Sequence, residues 1–190
     1  MFAGIMMLNS QRPITSEHKK ALSHNLSRQP NEEITELDLE QAYMVRAKVG
    51  ALTSYDGVLN NKPGSVSLIA GEPLGPAGNV SADHELIHED LTHGSYTKIG
   101  SCRGVFCGAS YQNEGEKQIL QLFSDKLGVR PLYYWCNEEM VVFATALRVL
   151  EALPFVPKVR DDTGVAETIA FGYPLAERTQ YLGINVLRDA

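Results

Sequence analysis

Apolar and polar residues alternate along the middle of the chain. Four apolar runs, "RGVFCGASY", "KQILQLFSD", "PLYYW" and "MVVFATA", are separated by polar turns such as "QNEGE" and "CNEE". Period-two alternation between short polar turns is typical of antiparallel strands joined by hairpins. The pattern therefore predicts an antiparallel meander from Arg103 to Ala146.

Three further segments are predicted strands: Phe2 to Leu8, "AYMVRAKVGAL" and "SVSLIAG". The polar segments near them, "QPNEEITELDLEQ", "SYDGVLNNKPG" and "EPLGPAGNV", are rich in charge, Gly, Asn and Pro, which are typical of loops and turns. We therefore expect a surface loop with a short helix at the first, a turn at the second and a Gly/Pro loop at the third.

Helical periodicity occurs four times. "SEHKKALSHNLSR" predicts a helix from Ser16, and "SADHELIHEDLTHG" predicts one capped by Ser81. "TALRVLEAL" carries an apolar stripe, and "DDTGVAETIAFG" predicts a helix capped at Asp161 or Asp162 and closed by Gly172. Strands at both ends of the chain, with helices between and after them, predict an α+β fold of antiparallel sheets covered by helices.

A charged turn interrupts the meander at "SDKLGVRPLYYW". Asp125 is placed to cap this turn through its side chain, Gly128 supplies a conformation that bulkier residues avoid, and Pro131 fixes the entry to the next strand. The stretch is therefore predicted to be architectural.

Composition narrows the function classes. The 190 residues are 44% hydrophobic and 21% charged, which is ordinary for a globular chain and predicts one domain over residues 1–190. The net charge of −6 provides no basic field, so nucleic acid and anionic membranes are not expected partners. Three cysteines without a CxxC pair, no signal peptide and no run of transmembrane length predict a cytoplasmic protein.

One short motif resembles a metal site. "HELIH" matches H-E-x-x-H, in which His84 and His88 would bind zinc and Glu85 would act as general base. His93 follows without the glycine turn that would bring a third ligand back to the metal. We therefore expect a surface helix without metal, its acidic residues in solvent and its histidines between solvent and core, and we disfavour a zinc hydrolase.

Four segments in the distal half carry a resemblance to a known family. "CRGVFCGASY", "LQLFSDKLGVRPLYYW", "VVFATALRVLEALP" and "RTQYLGINVL" follow one another as the corresponding motifs do in the N-terminal glutaminase-type domain of the asparagine synthetase family, a class II glutamine amidotransferase. The resemblance implies the Ntn-hydrolase fold, a four-layer αββα sandwich of two antiparallel sheets between helices.

The resemblance also indicates what the chain lacks. "MFAGI" resembles the family's M-C-G-I opening with one extra residue, so Ala3 occupies the position of the nucleophilic cysteine. "IAGEPL" resembles N-G-E-I-Y, which places Ala70 on the asparagine that donates to the oxyanion and Gly71 on the second, backbone donor. We therefore expect no catalytic residue and no glutaminase activity from this chain.

Two residues match the family's amino-acid recognition. "SRQPN" resembles H-R-G-P-D and places Arg28 on the arginine that holds the glutamine carboxylate. "ADHE" resembles S-D-x-E and places Asp83 on the carboxylate that receives the α-ammonium group. With Gly71, these residues would form a vestigial amino-acid site; the alternative for Arg28 is a solvated surface residue, because long charged side chains are mostly exposed.

Three functions follow from these observations. In the first, the chain is the N-terminal part of a longer asparagine-synthetase-like, ATP-dependent amide-forming ligase, similar to β-lactam synthetases and lasso-peptide cyclases. It would then be a scaffold for a C-terminal synthetase domain, in cis or in trans, which would bind ATP and Mg²⁺; this domain itself would need no cofactor. The second is a module that binds or senses glutamine or a related amino acid, and the third is the zinc hydrolase. A homodimer is compatible with each of these functions. We disfavour the alternative that Ala3 is an engineered replacement of a nucleophilic cysteine, because such a replacement would not also require Ala70 in place of the asparagine.

Overall fold

Two antiparallel sheets and five helices make up the computed structural model. It describes residues 1–9, 11–29, 32–48, 55–62, 64–115 and 117–188. The strands are β1 (Phe2–Met7), β2 (Glu33–Asp38), β3 (Ala42–Lys48), β4 (Val58–Lys62), β5 (Ser65–Leu74), β6 (Arg103–Glu114), β7 (Lys117–Ser124), β8 (Tyr133–Cys136), β9 (Met140–Ala144) and β10 (Ile184–Val186). The helices are α1 (Ser16–Leu26), α2 (Val80–Thr92), α3 (Thr97–Ser101), α4 (Leu147–Ala152) and α5 (Asp162–Phe171).

The strands pair into a first sheet of six strands and a second sheet of four. The first sheet has the order β10-β8-β9-β1-β3-β2, and the second has the order β4-β5-β6-β7. Every pairing between neighbours is antiparallel. β1 lies between β3 and β9, and it is buried on both faces.

Side-chain alternation along β1 explains how the layers stack. Ala3, Ile5 and Met7 face one way and pack with residues of α1 and α4. Phe2 and Met6 face the other way and pack against the second sheet. Because successive strand residues point to opposite faces, one apolar strand covers two cores. A third cluster lies between the second sheet and α2, which completes an αββα order of layers.

The meander and most helices agree with the sequence predictions. α1 begins at Ser16, and α5 is capped by Asp161 and closed by Gly172 in the left-handed conformation. α2 begins earlier than expected, because Asn79, and not Ser81, accepts the capping hydrogen bond from the backbone of Ala82 at 2.9 Å. Within the described ranges, no helix is both long and apolar enough to cross a membrane.

Three predicted loops contain strands instead. The acidic segment forms β2, an edge strand that pairs with β3, so its charged side chains reach solvent without leaving the sheet. The predicted turn after it contributes β4, and β5 continues as far as Leu74 before the Gly/Pro loop begins. Residues 49–54 and 63, which belong to the predicted strand and turn here, lie outside the described residues.

Candidate functional site

A cavity of about 890 Å³ opens where the two sheets meet, at the beginning of β1. The first sheet contributes Met1, Arg46 and Lys48 to its wall, and the second sheet contributes the end of β5 from Ile69. The turn between β7 and β8 and the residue Arg28, just after α1, also line the cavity. A volume of this size accommodates a small organic molecule.

Positive side chains dominate this cavity. Arg28, Arg46, Lys48 and Arg130 line it, whereas Glu72 is the one carboxylate among the described lining residues. Lys48 pairs with Glu33 at 3.4 Å on the protein surface. Over the described part of the chain, the three arginines make no ion pair within 4.0 Å.

Arg46 brings part of its guanidinium into the interior. Its Nε and Nη1 atoms are buried and make no hydrogen bond to the residues that the structure describes. Burial lowers the pKa of Arg46, and the nearby Asp56 carboxylate opposes that shift. The Nε atom of Arg130 is buried without a partner in the same way. Guanidinium groups at the wall of a cavity are suited to pairing with an anionic ligand.

The turn before β8 positions Arg130. The Asp125 carboxylate accepts hydrogen bonds from the backbone N–H groups of Leu127, Val129 and Arg130 at 3.1, 3.1 and 3.2 Å, and from that of Phe106 at 3.3 Å. Burial raises the pKa of Asp125, but these four donors together leave it lowered. Gly128 has a φ of +58°, as predicted for this turn. The predicted capping role of Asp125 therefore also fixes a cavity residue.

Comparison with known families assigns the chain. A family model for the glutamine amidotransferase domain matches residues 74–190, which is more than half of the chain. The chain belongs to the glutamine amidotransferase domain family. No curated protein matches the chain. The matched range includes the turn that carries Arg130, whereas Ala3, Arg28 and Ala70 precede it.

The structure of this amidotransferase domain places Ala3 in the core. Its side chain is 0% exposed, faces the helical layer and lies between Val45 and Ala144 on the neighbouring strands. Met1, two residues earlier, lines the cavity instead, and its nitrogen donates to the carbonyl of Ala47 at 3.0 Å. Burial, followed by the charges of Arg46 and Arg130, lowers the pKa of the Met1 amine to about 6. Position 3 therefore does not present its side chain to the cavity.

Ala70 and Gly71 do line the cavity, at the end of β5. Gly71 has a φ of +98°, and a Cβ atom there would overlap the carbonyl oxygen of Val105 on β6. Only glycine fits this close approach of two strands. Ala70 is buried and offers no side-chain donor to the cavity.

Asp83 lies outside the cavity wall. Its carboxylate is 2% exposed and accepts hydrogen bonds from the backbone N–H groups of Gly75 and Ala77, both at 2.9 Å. These bonds hold the Gly/Pro loop against the first turn of α2. The structure thus brings Arg28, Ala70 and Gly71 together at the cavity and places Asp83 in a loop that it supports; recognition of an ammonium group by Asp83 stays a prediction.

The H-E-x-x-H residues form a buried polar cluster and not a surface array. The expectation that the histidines would lie between solvent and core is wrong, because His84 and His88 are both fully buried. Ser67 on β5 bonds to His84 Nε2 at 2.7 Å and to His88 Nδ1 at 2.9 Å, while Tyr55 bonds to His84 Nδ1. Ser65, also on β5, bonds to His88 Nε2 at 3.3 Å, so two strand hydroxyls and a phenol satisfy imidazoles that would otherwise be buried without partners.

The same cluster argues against a hydrolytic role for this motif. Glu85 is exposed to solvent, whereas both histidines are fully buried, so its carboxylate does not share their enclosed environment. Burial, then the proximity of His88 and Arg46, lowers the pKa of His84 to about 3. Among the described residues, no three side chains of His, Cys, Asp or Glu are grouped to hold a metal ion.

None of the cysteines supplies a nucleophile to the cavity. Cys107 is fully buried between the sheets, and burial raises the pKa of its thiol to about 12 despite the opposing charge of Arg130. Cys102 is buried beneath α2, and Cys136 is exposed on β8. Thr145, which does line the cavity, exchanges hydrogen bonds of 3.2 Å with the backbone N–H and carbonyl of Phe2.

The sequence analysis did not identify Arg46, Glu72 or Arg130 as site residues. Arg46 interrupts the otherwise buried run of β3, and this charged residue in an apolar strand was a usable signal. Glu72 belongs to the segment "IAGEPL" and Arg130 to "SDKLGVRPLYYW". Both line one cavity only because of how the two sheets pack, which neither segment reveals.

Proposed function

We propose that this glutamine amidotransferase domain binds a small carboxylate-bearing ligand, of the amino-acid class, and does not hydrolyse it. The observation that carries the proposal is the cavity itself. Three arginines line it, while its described lining residues include no cysteine and no serine. The described lining residues are therefore able to hold an anion, and none of them is a thiol or a serine hydroxyl that could attack an amide.

Hydrolysis of glutamine through a covalent intermediate needs a nucleophile with an adjacent base. The hydroxyl of Thr145 is engaged with the backbone of Phe2, and the thiol of Cys107 stays protonated at neutral pH because burial raises its pKa to about 12. Losing one oxyanion donor, as Ala70 implies, typically lowers the rate by about 10²–10³. These features together support a domain that has kept its fold and lost its hydrolytic chemistry.

The finer assignment is to the asparagine synthetase family with an Ntn-hydrolase sandwich. The αββα order of layers and the order of the four distal motifs support it. In this proposal the domain is a scaffold in an amide-forming ligase, and ATP and Mg²⁺ belong to a C-terminal synthetase domain in cis or in trans. Three unpaired cysteines support a reducing, cytoplasmic location.

An apolar surface around α5 favours such a partner. Ile169 is 82% exposed, and Phe171 and Tyr173 are also largely exposed beside it. Large apolar side chains left exposed in one segment are a feature of protein interfaces. Reading the coding frame beyond position 190 tests this part: an S-G-G-x-D-S pyrophosphate loop downstream supports the ligase, and its absence from the gene and its neighbours contradicts it.

Equilibrium dialysis tests ligand binding without hydrolysis. The full chain is dialysed against labelled glutamine and glutamate, and the label recovered from the protein compartment is separated by chromatography. We expect bound amino acid to be recovered unchanged and Arg28→Gln to lower the bound fraction. Conversion of glutamine to glutamate in proportion to protein would contradict the proposal.

A further inference from the structure

We infer that the cavity takes a small dianion, a dicarboxylate or a phosphate monoester, in preference to zwitterionic glutamine. The inference rests on the proposed function in one respect, that the cavity binds a ligand. It goes further by assigning the charge of that ligand, chiefly from Arg46 and Arg130, which the family resemblance did not mark.

The balance of charge is the first argument. Three arginines, Arg28, Arg46 and Arg130, face the cavity, and the charge of Lys48 is already shared with Glu33. Glu72 is exposed at the wall and makes no ion pair within 4.0 Å in the described part of the chain. If Glu72 offsets one arginine and the nearby Asp56 offsets part of the charge of Arg46, the arginines still leave net positive charge at the wall, and like charges gathered in one cleft repel one another. A ligand with two negative charges removes that repulsion.

The open donors are the second argument. Arg46 Nε and Nη1 and Arg130 Nε are buried without hydrogen-bond partners among the described residues. In the described part of the chain, Ser110 Oγ and Arg148 Nε are also unpartnered, away from the cavity, but two of the three arginines concerned line it, and a ligand anion there would supply the acceptor that buried polar groups normally have. A guanidinium matches the paired oxygens of a carboxylate or phosphate, and two guanidinium groups match two such pairs or one phosphate.

The packing around Arg46 indicates that the position of its unpartnered N–H groups is fixed by the fold. Gly57 lies directly against its guanidinium, and a Cβ atom at Gly57 would overlap Arg46 Nη1 and the carbonyl oxygen of Ile69. Gly57 has a φ of +61°, which favours glycine. The neighbouring Asp56 is exposed and makes no ion pair with Arg46 within 4.0 Å, so it does not occupy the open nitrogen atoms.

Glutamine fits this arrangement poorly. It carries one carboxylate and one ammonium group, and the ammonium group would be placed among arginines, with Glu72 as the one carboxylate among the described lining residues. Asp83, the carboxylate expected to receive that ammonium group, is committed to the backbone of Gly75 and Ala77. Net positive charge at the site thus disfavours the zwitterion relative to a dianion.

Isothermal titration calorimetry on the full chain tests the inference with a matched pair of ligands. Glutarate and its monoamide have nearly the same shape and differ by one negative charge; inorganic phosphate and glutamine complete the set. We expect glutarate to bind at least about tenfold more tightly than its monoamide and than glutamine, as loss of one charge-assisted contact predicts. Competition between phosphate and glutarate shows whether they bind at the same place and which of the two binds more tightly. The tighter ligand distinguishes a phosphate site from a dicarboxylate site.

Variants locate the binding. Arg46→Gln and Arg130→Gln should each weaken glutarate binding about tenfold, whereas Arg12→Gln should leave it unchanged. Arg12 is ion-paired with Glu139 at the opposite end of β1 from the cavity, so it controls for loss of a surface arginine. Thermal unfolding of each variant shows whether it folds, and the ligand pair on the unaltered chain decides the inference even where a variant does not.

The outcomes separate this inference from the proposed function. Equal affinity for glutarate and its monoamide, tighter binding of glutamine, or absence of binding by glutarate and phosphate overturns the inference. Unchanged glutarate affinity in both arginine variants overturns it as well. Release of ammonia from glutamine overturns the proposed function instead, whichever ligand binds more tightly.

Discussion

The Asp125 carboxylate accepts a hydrogen bond from the backbone N–H of Arg130 at 3.2 Å, five residues further along the chain. The same carboxylate holds the N–H groups of Leu127, Val129 and Phe106. One buried side chain thus joins the turn to β6 and aims Arg130 at the cavity. The conformation of this turn and the position of Arg130 therefore both depend on the Asp125 carboxylate.

Replacement of Asp125 should therefore affect stability and binding together. Asp125→Ala leaves four backbone donors without their acceptor, and we expect a loss of about 3 kcal/mol in the free energy of unfolding. Urea denaturation measures this, and calorimetry with glutarate should show weaker binding because Arg130 is no longer fixed. Asp38→Ala, at an exposed carboxylate on the edge strand β2, is the control and should change stability by less than about 0.5 kcal/mol.

The pH dependence of this effect has a definite sign. The folded pKa of Asp125 is lowered, so its contribution is complete above the unfolded pKa of about 3.9 and is lost as the pH falls toward the lower folded value. The difference in stability between the native chain and Asp125→Ala should shrink in acid. A difference that grows as the pH falls below 4 would be incompatible with the hydrogen bonds described.

Gly71 provides a test of close strand packing at the cavity. Gly71→Ala combines a left-handed φ with overlap on the carbonyl oxygen of Val105, and we expect a loss of about 3 kcal/mol or more. Gly78→Ala is a matched control, because Gly78 has a similar φ of +79° and open space around it; it should cost about 1 kcal/mol. Equal losses for the two variants would show that the approach of β5 and β6 is not tight.

His84 should make the fold sensitive to mild acid. The pKa of His84 is about 3 in the folded chain, below the ordinary value of 6.5. Between these two pH values the imidazole is protonated in the unfolded chain and neutral in the folded chain. Stability should therefore fall as the pH drops through this interval, by up to about 1.4 kcal/mol per pH unit. Urea denaturation at a series of pH values should show a shallower dependence for His84→Gln than for the native chain. His24→Gln, at an exposed position of α1, should keep the native dependence, and an identical slope in all three proteins would refute the prediction.

Restoring a cysteine at position 3 should not restore glutaminase activity. The side chain of Ala3 faces α1 and α4 and is 0% exposed, so the thiol introduced by Ala3→Cys would lie in the core, away from the cavity. In native conditions iodoacetamide should label the exposed Cys136 quickly and the introduced thiol slowly, as peptide mass spectrometry can measure. Rapid labelling of the introduced thiol, accompanied by ammonia release from glutamine, would show that position 3 does reach the cavity.

The strands with regular alternation and the helices with clear caps were predictable from the sequence. β2 was not, because an acidic edge strand exposes its charges as a loop does, and periodicity alone does not separate the two. The end of β5 was missed for a related reason: Pro73 and Gly71 are turn residues by composition, yet the strand accommodates both beside β6.

The site was predictable only where a motif marked it. Family resemblance brought attention to Arg28, Ala70 and Gly71, and all three line the cavity. Arg46 and Arg130 come from strands and turns far apart in the sequence, so their convergence follows from the packing of two sheets and not from any local pattern. The burial of His84 and His88 likewise depends on serines of β5 that the helix pattern does not reveal.

The most direct test of the central claim is the fate of the glutamine amide on this chain. Glutamine labelled with ¹⁵N at the side-chain amide, incubated with the full chain at neutral pH, can be followed by NMR for the appearance of labelled ammonium. The account predicts that ammonium forms no faster than in buffer alone, although ligands bind in the cavity. Labelled ammonium that forms in proportion to protein, saturates with glutamine and disappears in Arg28→Gln would contradict it.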